Sequence, residues 1–296
     1  MTIDAQKLLA APPAEVAFAY TARDTMAHGL AIGLGMDPVD GRQLDFVYDD
    51  GAGLKTFPTL STMLGWVDLL RDPRFADPAW GVDANQMVVG QLIFESHAPL
   101  AVAGEGIARS YFAEVVDRGP GKAALLRARK EVLSQDETLL ATLDTWMYVR
   151  GGGGFGGPTD APHSSGPERV TMPARAADSV CDLPTPANLA LLYRLSLGDH
   201  NALHADPDHA KQVGFERPIL HGIASFSIGV HAALRECLDY DPERIAGGQV
   251  RLSGPVFPGD TLRTELWRDG NAVLFRTRAV ERDMLVMDGG RVDLAG

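Results

Sequence analysis

From residue 87 to residue 149, apolar side chains recur largely at every second position, the period of a half-buried β-strand. Val88 to Ser96, Ile107 to Asp117, Lys122 to Ser134 and Thr138 to Val149 each have strand length. The last is the clearest, with Ala141, Leu143, Thr145, Met147 and Val149 on one face and Thr142, Asp144, Trp146 and Tyr148 on the other. A second series follows at Gly248 to Gly254, Thr261 to Arg268, Ala272 to Glu281 and Met284 to Leu294. Before that series the period changes. Ile223, Phe226, Val230, Leu234 and Leu238 recur at helical spacing, so a long buried helix is expected there.

The first half opens on an irregular or weakly helical lead-in over residues 1–19. Thr21 to Asp24 has the form of a capping box, although with Asp at the third position after the cap. Met26, Leu30 and Leu34 continue it as a helix that Gly35 stops. Leu44 to Tyr48 reads as a short strand and Thr59 to Leu70 as a helix. Arg150 introduces a run of glycines, Gly151 to Gly154, with Phe155 and two more glycines after it. A glycine run can cradle phosphate, but a phosphate loop needs spaced glycines and a helix directly after them. Here prolines 158, 162, 167, 173, 184 and 186 follow, so residues 151–186 are expected to be an extended linker. The second half repeats the first in element order, without direct sequence identity.

The chain has 296 residues, enough for two domains, and is ordinarily globular at 45% hydrophobic and 22% charged. Its net charge of −12 argues against nucleic acid or an anionic membrane surface as a partner. Two cysteines, Cys181 and Cys237, suit a reducing compartment. No apolar run approaches the ~20 residues needed to span a bilayer. The N-terminus lacks a basic-then-apolar signal and the last residues are Asp-Leu-Ala-Gly, so a cytoplasmic protein is expected.

The chemistry concentrates between residues 193 and 222. Leu189 to Leu197 is an apolar run that reads as a strand. Asp206-Pro207 is a helix start, with Asp as N-cap and Pro at the first position, and Gly214 closes that short helix. Asp199, Asn201 and His204 therefore sit on one tight loop between two rigid elements. A carboxylate can take a proton from water, an imidazole can share that water and pass a proton on, and an amide can hold either. Gly222 opens the long helix, where a backbone N–H is unpaired in a positive field and a ligand can approach closely. The same three polar residues could also be no more than a capped turn.

The longer string resolves this differently. Tyr193-Arg-Leu-Ser, Gly198-Asp-His-Asn, Leu203-His-Ala-Asp-Pro, Gly214-Phe and Pro218-Ile-Leu-His-Gly together resemble the hydratase 2 motif of the MaoC-like (R)-specific enoyl-CoA hydratases. Tyr20-Thr-Ala-Arg-Asp, the Arg-Gly-rich-Phe-Gly-Gly string and Pro255-Val-Phe-Pro-Gly-Asp-Thr-Leu are similar to the same family. Two positions depart from its pattern: Ala202 stands where the family usually has Pro, and Leu197 is an extra residue before Gly198.

The resemblance implies an α+β double hot-dog fold, two units that each wrap an antiparallel sheet around a long helix. Residues 1–150 would form a non-catalytic unit that makes room for the acyl chain, and residues 187–296 the catalytic unit. It implies reversible hydration of trans-2-enoyl-CoA to (3R)-3-hydroxyacyl-CoA without cofactor or metal, and a homodimer. Asp199 and His204 would be the acid/base pair, Asn201 their support and Gly222 the oxyanion donor. His200, Ala202 and Leu203 would line the site beside them, and Leu252 the acyl pocket. Arg118, on the Asp117-Arg118-Gly119 turn, would meet the CoA ligand. Gly90 matches a His-Gly pair whose His is absent here. CoA is anionic, so a local basic patch must exist against the acidic background. The alternatives left open are a specialised acyl-CoA, such as a steroid side-chain or short dicarboxylic one, and a non-catalytic acyl-CoA-binding protein. A sensor would not need the acid/base pair.

Overall fold

The computed structural model describes residues 2–49, 53–67, 78–83, 86–156, 166–197 and 199–296. Helix α1 spans Ala5–Ala10, strand β1 Ala14–Tyr20, α2 Ala22–Ala31 and α3 Gly41–Leu44. Strands β2 (Met87–Ser96), β3 (Gly104–Asp117), β4 (Ala124–Ser134) and β5 (Leu139–Val149) complete the first half. The second half holds β6 (Ser179–Pro184), α4 (Leu189–Leu197), α5 (Pro207–Gln212), α6 (Gly222–Cys237), β7 (Ile245–Leu252), β8 (Thr261–Asp269), β9 (Ala272–Ala279) and β10 (Met284–Leu294).

All ten strands join one antiparallel sheet in the order β1-β3-β4-β5-β2-β7-β10-β9-β8-β6. Each half has the same order when read inward from its edge, so the repeat of element order is a repeat of topology. The halves meet where β2 pairs with β7, Leu92 opposite Val250 and Phe94 opposite Gly248. The sheet of the second half cradles α6, in which Phe226, Ile228, Val230 and Leu234 are fully buried. In the first half the corresponding place holds a 3-10 turn, Pro58–Thr62, against β2 and β5. This is a double hot-dog fold. His231 of α6 donates through Nδ1 to the carbonyl of Ile32 at 3.0 Å, which ties the long helix to the first half.

Several local expectations change. Leu189–Leu197 is a helix, not a strand: Leu189, Ala190, Tyr193 and Ser196 are buried, whereas Leu191, Leu192 and Leu195 face out. The buried set recurs at helical spacing, and three exposed leucines hide it inside a continuous apolar run. Leu44–Tyr48 is the end of α3 and a following turn, with Tyr48 N–H bonded to the Leu44 carbonyl at 2.9 Å. The expected helix from Thr59 is only the 3-10 turn, because Gly65 adopts φ +58 and a Cβ there would lie 2.4 Å from that of Ala108; residues 68–70 of it lie outside the described residues. The lead-in contains α1 and a true strand, β1, whose alternation is carried partly by small alanines. The stretch 151–186 contains β6, in which Cys181 pairs opposite Thr264 of β8.

The capping box at Thr21 and Asp24 is present, as is the Asp206 cap of α5. Two N–H groups of the glycine run, those of Gly154 and Gly156, do cradle an anion, but one of the protein's own: together with the N–H of Gly119 in the β3–β4 turn they donate to the Asp117 carboxylate at 2.7–2.8 Å.

Candidate active site

The loop after α4 is built by its own polar side chains. Asp199 Oδ1 accepts the backbone N–H of Asn201 at 3.0 Å. Asn201 Oδ1 in turn accepts the N–H of Leu203 at 3.1 Å and caps the 3-10 turn Ala202–His204. Asn201 thus supports the pair by shaping the backbone between them. Asp199 and His204 are both buried, each 8% exposed. His204 Nδ1 lies 2.8 Å from the Ile219 carbonyl, which can only accept, so Nδ1 carries the proton and Nε2 the lone pair in the neutral ring. Nε2 lies 4.0 Å from Asp199 Oδ2. That is too long for a direct hydrogen bond but suits one water about 2.8 Å from each.

His221 completes the cluster. It is 2% exposed, and its ring stacks on His204 with centroids 3.7 Å apart. Its Nε2 is also 4.0 Å from Asp199 Oδ2, and the Tyr193 ring packs against it, tilted by 43° with centroids 5.0 Å apart. Neither ring nitrogen has a hydrogen-bond partner among the described residues. Burial, with His204 as a second cause, pushes the His221 pKa down to about 2, so this imidazole stays neutral. Asp199, His204 and His221 each offer a ligand atom within 4.8 Å of the others, a spacing that could also hold a metal ion.

Gly222, next in the chain, is the first residue of α6, and its N–H has no intrahelical acceptor by position. A Cβ on Gly222 would lie 2.6 Å from Leu252 Cδ1, so the glycine keeps this face of the helix start open. The loop Pro255–Asp260 fixes the approach. Asp260, 2% exposed, holds Arg282 at 2.6 Å and the Phe257 N–H at 2.8 Å, Arg282 holds the Pro255 carbonyl at 2.8 Å, and the Val256 carbonyl accepts the Leu220 N–H at 2.7 Å.

A cavity of about 820 Å³ connects these groups with the first half. Asn201, Leu203, Gly222, Leu252 and Gly90 are among its lining residues. Gly90 sits at a bulge of β2, and a Cβ there would come within 2.2 Å of the Tyr148 ring. His200, Ala202 and Arg118 are not among the lining residues, and His200 points outward. The cations on the wall are instead Arg129, Lys130, Arg150, Arg169 and Arg251, against Asp199 as its one carboxylate among the described residues. Arg129 and Arg251 are spent on Asp144 and Asp288. Arg150 and Arg169 are exposed and make no ion pair among the described residues. Arg150 stands just before the glycine run and Arg169 twelve residues after its end, so the exposed cations on this wall come from either side of it and not from the Asp117–Gly119 turn. His221 and these arginines were missed because only the fold brings them to the loop; the juxtaposition of His221 with Gly222 was the one available signal.

Residues 18–151 match the model of the MFE-2 hydratase 2 N-terminal domain, and residues 169–289 that of the MaoC like domain. The chain is 33% identical over 290 residues to the enoyl-CoA hydratase ChsH3 of Mycobacterium tuberculosis, covering 98% of both chains. It is 35% identical over 304 residues to the peroxisomal enoyl-CoA hydratase 2 of Arabidopsis thaliana, covering 98% of this chain and 94% of that one. Among solved structures, a MaoC-like dehydratase from Phytophthora capsici superposes with a TM-score of 0.83 at 29% identity over 98% of both chains.

Proposed function

The chain belongs to the MaoC-like enoyl-CoA hydratase 2 family, and we propose that it is a hydro-lyase adding water reversibly to trans-2-enoyl-CoA to give (3R)-3-hydroxyacyl-CoA. The observation that carries this reading is the 4.0 Å gap between Asp199 Oδ2 and His204 Nε2 beside the first N–H of α6. A water held in that gap loses a proton to the Asp199 carboxylate as its oxygen bonds to C3 of the enoyl group. The electron pair of the C2–C3 double bond moves toward the thioester carbonyl, whose growing negative charge accepts the Gly222 N–H. The proton just taken by Asp199 then goes to C2, either from Asp199 itself or by way of His204 Nε2, whose lone pair first accepts it, and the enolate returns to a thioester. A donor of this kind is worth roughly 3 to 4 kcal/mol in the transition state. His221, neutral and stacked on His204, keeps that ring in place from behind. Arg150 and Arg169 at the cavity mouth supply charge for the CoA phosphates.

This sequence of steps uses no metal. The test is hydration of crotonyl-CoA, followed as loss of the enoyl-thioester absorbance, with chiral analysis of the product. Conversion to the 3R alcohol, unchanged after dialysis against EDTA, is the expected result. Absence of hydration would sink the assignment. Activity lost to EDTA and restored by a divalent ion would turn Asp199, His204 and His221 into a metal site.

A further inference from the structure

The far end of the cavity lies in the first half, among Met63, Trp66, Leu92, Ser110, Lys130 and Leu143. Lys130 is a poor residue for a hydrocarbon pocket. It points inward from β4, is only 6% exposed, and forms no ion pair among the described residues. Its Nζ donates to the carbonyls of Thr62 and Leu64, the latter at 3.2 Å, and lies 5.7 Å from the centre of the Trp66 ring. An ammonium has three donors, and two are used here. Trp66 adds another: its buried Nε1 has no partner among the described residues. Burial pushes the Lys130 pKa down to about 7, the sign of a charge held without a counterion. A methyl-ended tail would leave these donors unmet in a dry pocket, at a cost that polar groups normally avoid.

Resting on the hydratase reading above, we infer that the end of this cavity is a subsite for an oxygen on the acyl tail, a carboxylate, hydroxyl or ketone, received by Lys130 and Trp66. The sheet sets the reach. Strands β5 and β2 lie between β4, which carries Lys130, and β7, which carries Leu252. At ~4.8 Å per strand this is roughly 14 Å along the sheet. Only tails long enough to span that distance meet the subsite.

Calorimetric binding of saturated acyl-CoAs tests this directly. A chain-length series ending in methyl, ω-hydroxyl or ω-carboxylate is titrated into the wild type, Lys130→Met and Trp66→Phe. The expected result is a preference of about tenfold for an oxygen-bearing end beyond a threshold length, greatest for the carboxylate. Lys130→Met removes most of the carboxylate preference. Trp66→Phe keeps the ring, removes only the N–H and lowers the preference for both oxygenated ends, so it supplies the comparison if Lys130→Met does not fold. Equal or tighter binding of methyl-ended tails by the wild type at every length overturns the subsite, and a preference that survives in both variants overturns these residues as its donors. Crotonyl-CoA hydration, measured in parallel, keeps the two readings apart. Hydration without a tail preference sinks the subsite alone, and a tail preference without hydration sinks the enzyme assignment alone.

Discussion

The two halves share a strand order but fill it differently. The sheet of the second half closes on a sixteen-residue helix, of which thirteen residues are buried. The sheet of the first half faces, at the corresponding place and among the described residues, a 3-10 turn and part of the cavity wall. In the second half the packed helix holds Gly222 and His221 at its start, and the loop before it holds Asp199 and His204. The first half contributes Trp66, Lys130 and Leu143 to the same cavity but none of the acid/base groups. One topology can thus serve as a rigid mount for chemistry or as a wall for a ligand, depending on what lies in the cradle.

Four changes would sharpen or break that comparison. The largest is Gly222→Pro. Proline suits the first position of a helix, and His221, at φ −58 and ψ 137, already has the extended backbone that a following proline requires. Proline removes the N–H but also adds a Cβ that would lie 2.6 Å from Leu252 Cδ1, so Gly222→Ala, which adds the Cβ and keeps the N–H, is the control. Relative to it kcat should fall by about 10² to 10³, with both variants still folded by melting. Retained turnover would take Gly222 out of the chemistry. His221→Ala should lower kcat about tenfold with a smaller change in KM, since a misplaced base costs rate rather than binding. An effect confined to KM would make His221 part of the pocket wall alone.

Asp260→Ala tests the mount. It leaves Arg282 without its buried partner and should cost about 3 kcal/mol in denaturant unfolding, whereas an unchanged midpoint would mean the Pro255–Asp260 loop holds itself. The mildest test is acid. Burial lowers the pKa of His231 to about 4, from 6.5, so the folded state binds fewer protons than the unfolded chain between those values. Its stabilisation is complete above pH 6.5 and fades as pH falls toward 4, by about 3 kcal/mol. Burial lowers His28 and His221 in the same direction, so His231→Gln should remove about a third of the slope of the stability–pH curve in that window, and an unaltered slope would assign the acid sensitivity to other groups.

Much of this was legible in the chain itself. The strands β2 to β5 and β7 to β10, the buried helix α6 and the Asp199–His204 loop follow from period and motif. What was not legible had physical causes. Strand β1 alternates with alanines, which carry little contrast, and β6 hides in a proline-rich stretch that turns ordered where it pairs with β8. The apolar run of α4 conceals a helical face behind exposed Leu191, Leu192 and Leu195. Arg118 was the reasonable cation by motif position. The cavity instead takes Arg150 and Arg169, whose convergence depends on packing between distant segments.

The central claim is that the second half's loop performs the chemistry. Its most direct test is crotonyl-CoA turnover and binding in Asp199→Asn and His204→Ala, each near-isosteric or smaller than the residue removed. The account predicts a loss of about 10² to 10⁴ in kcat for each, with crotonyl-CoA still bound about as tightly as by the wild type. Turnover equal to wild type in both variants would reduce the loop to a capped turn and contradict the account.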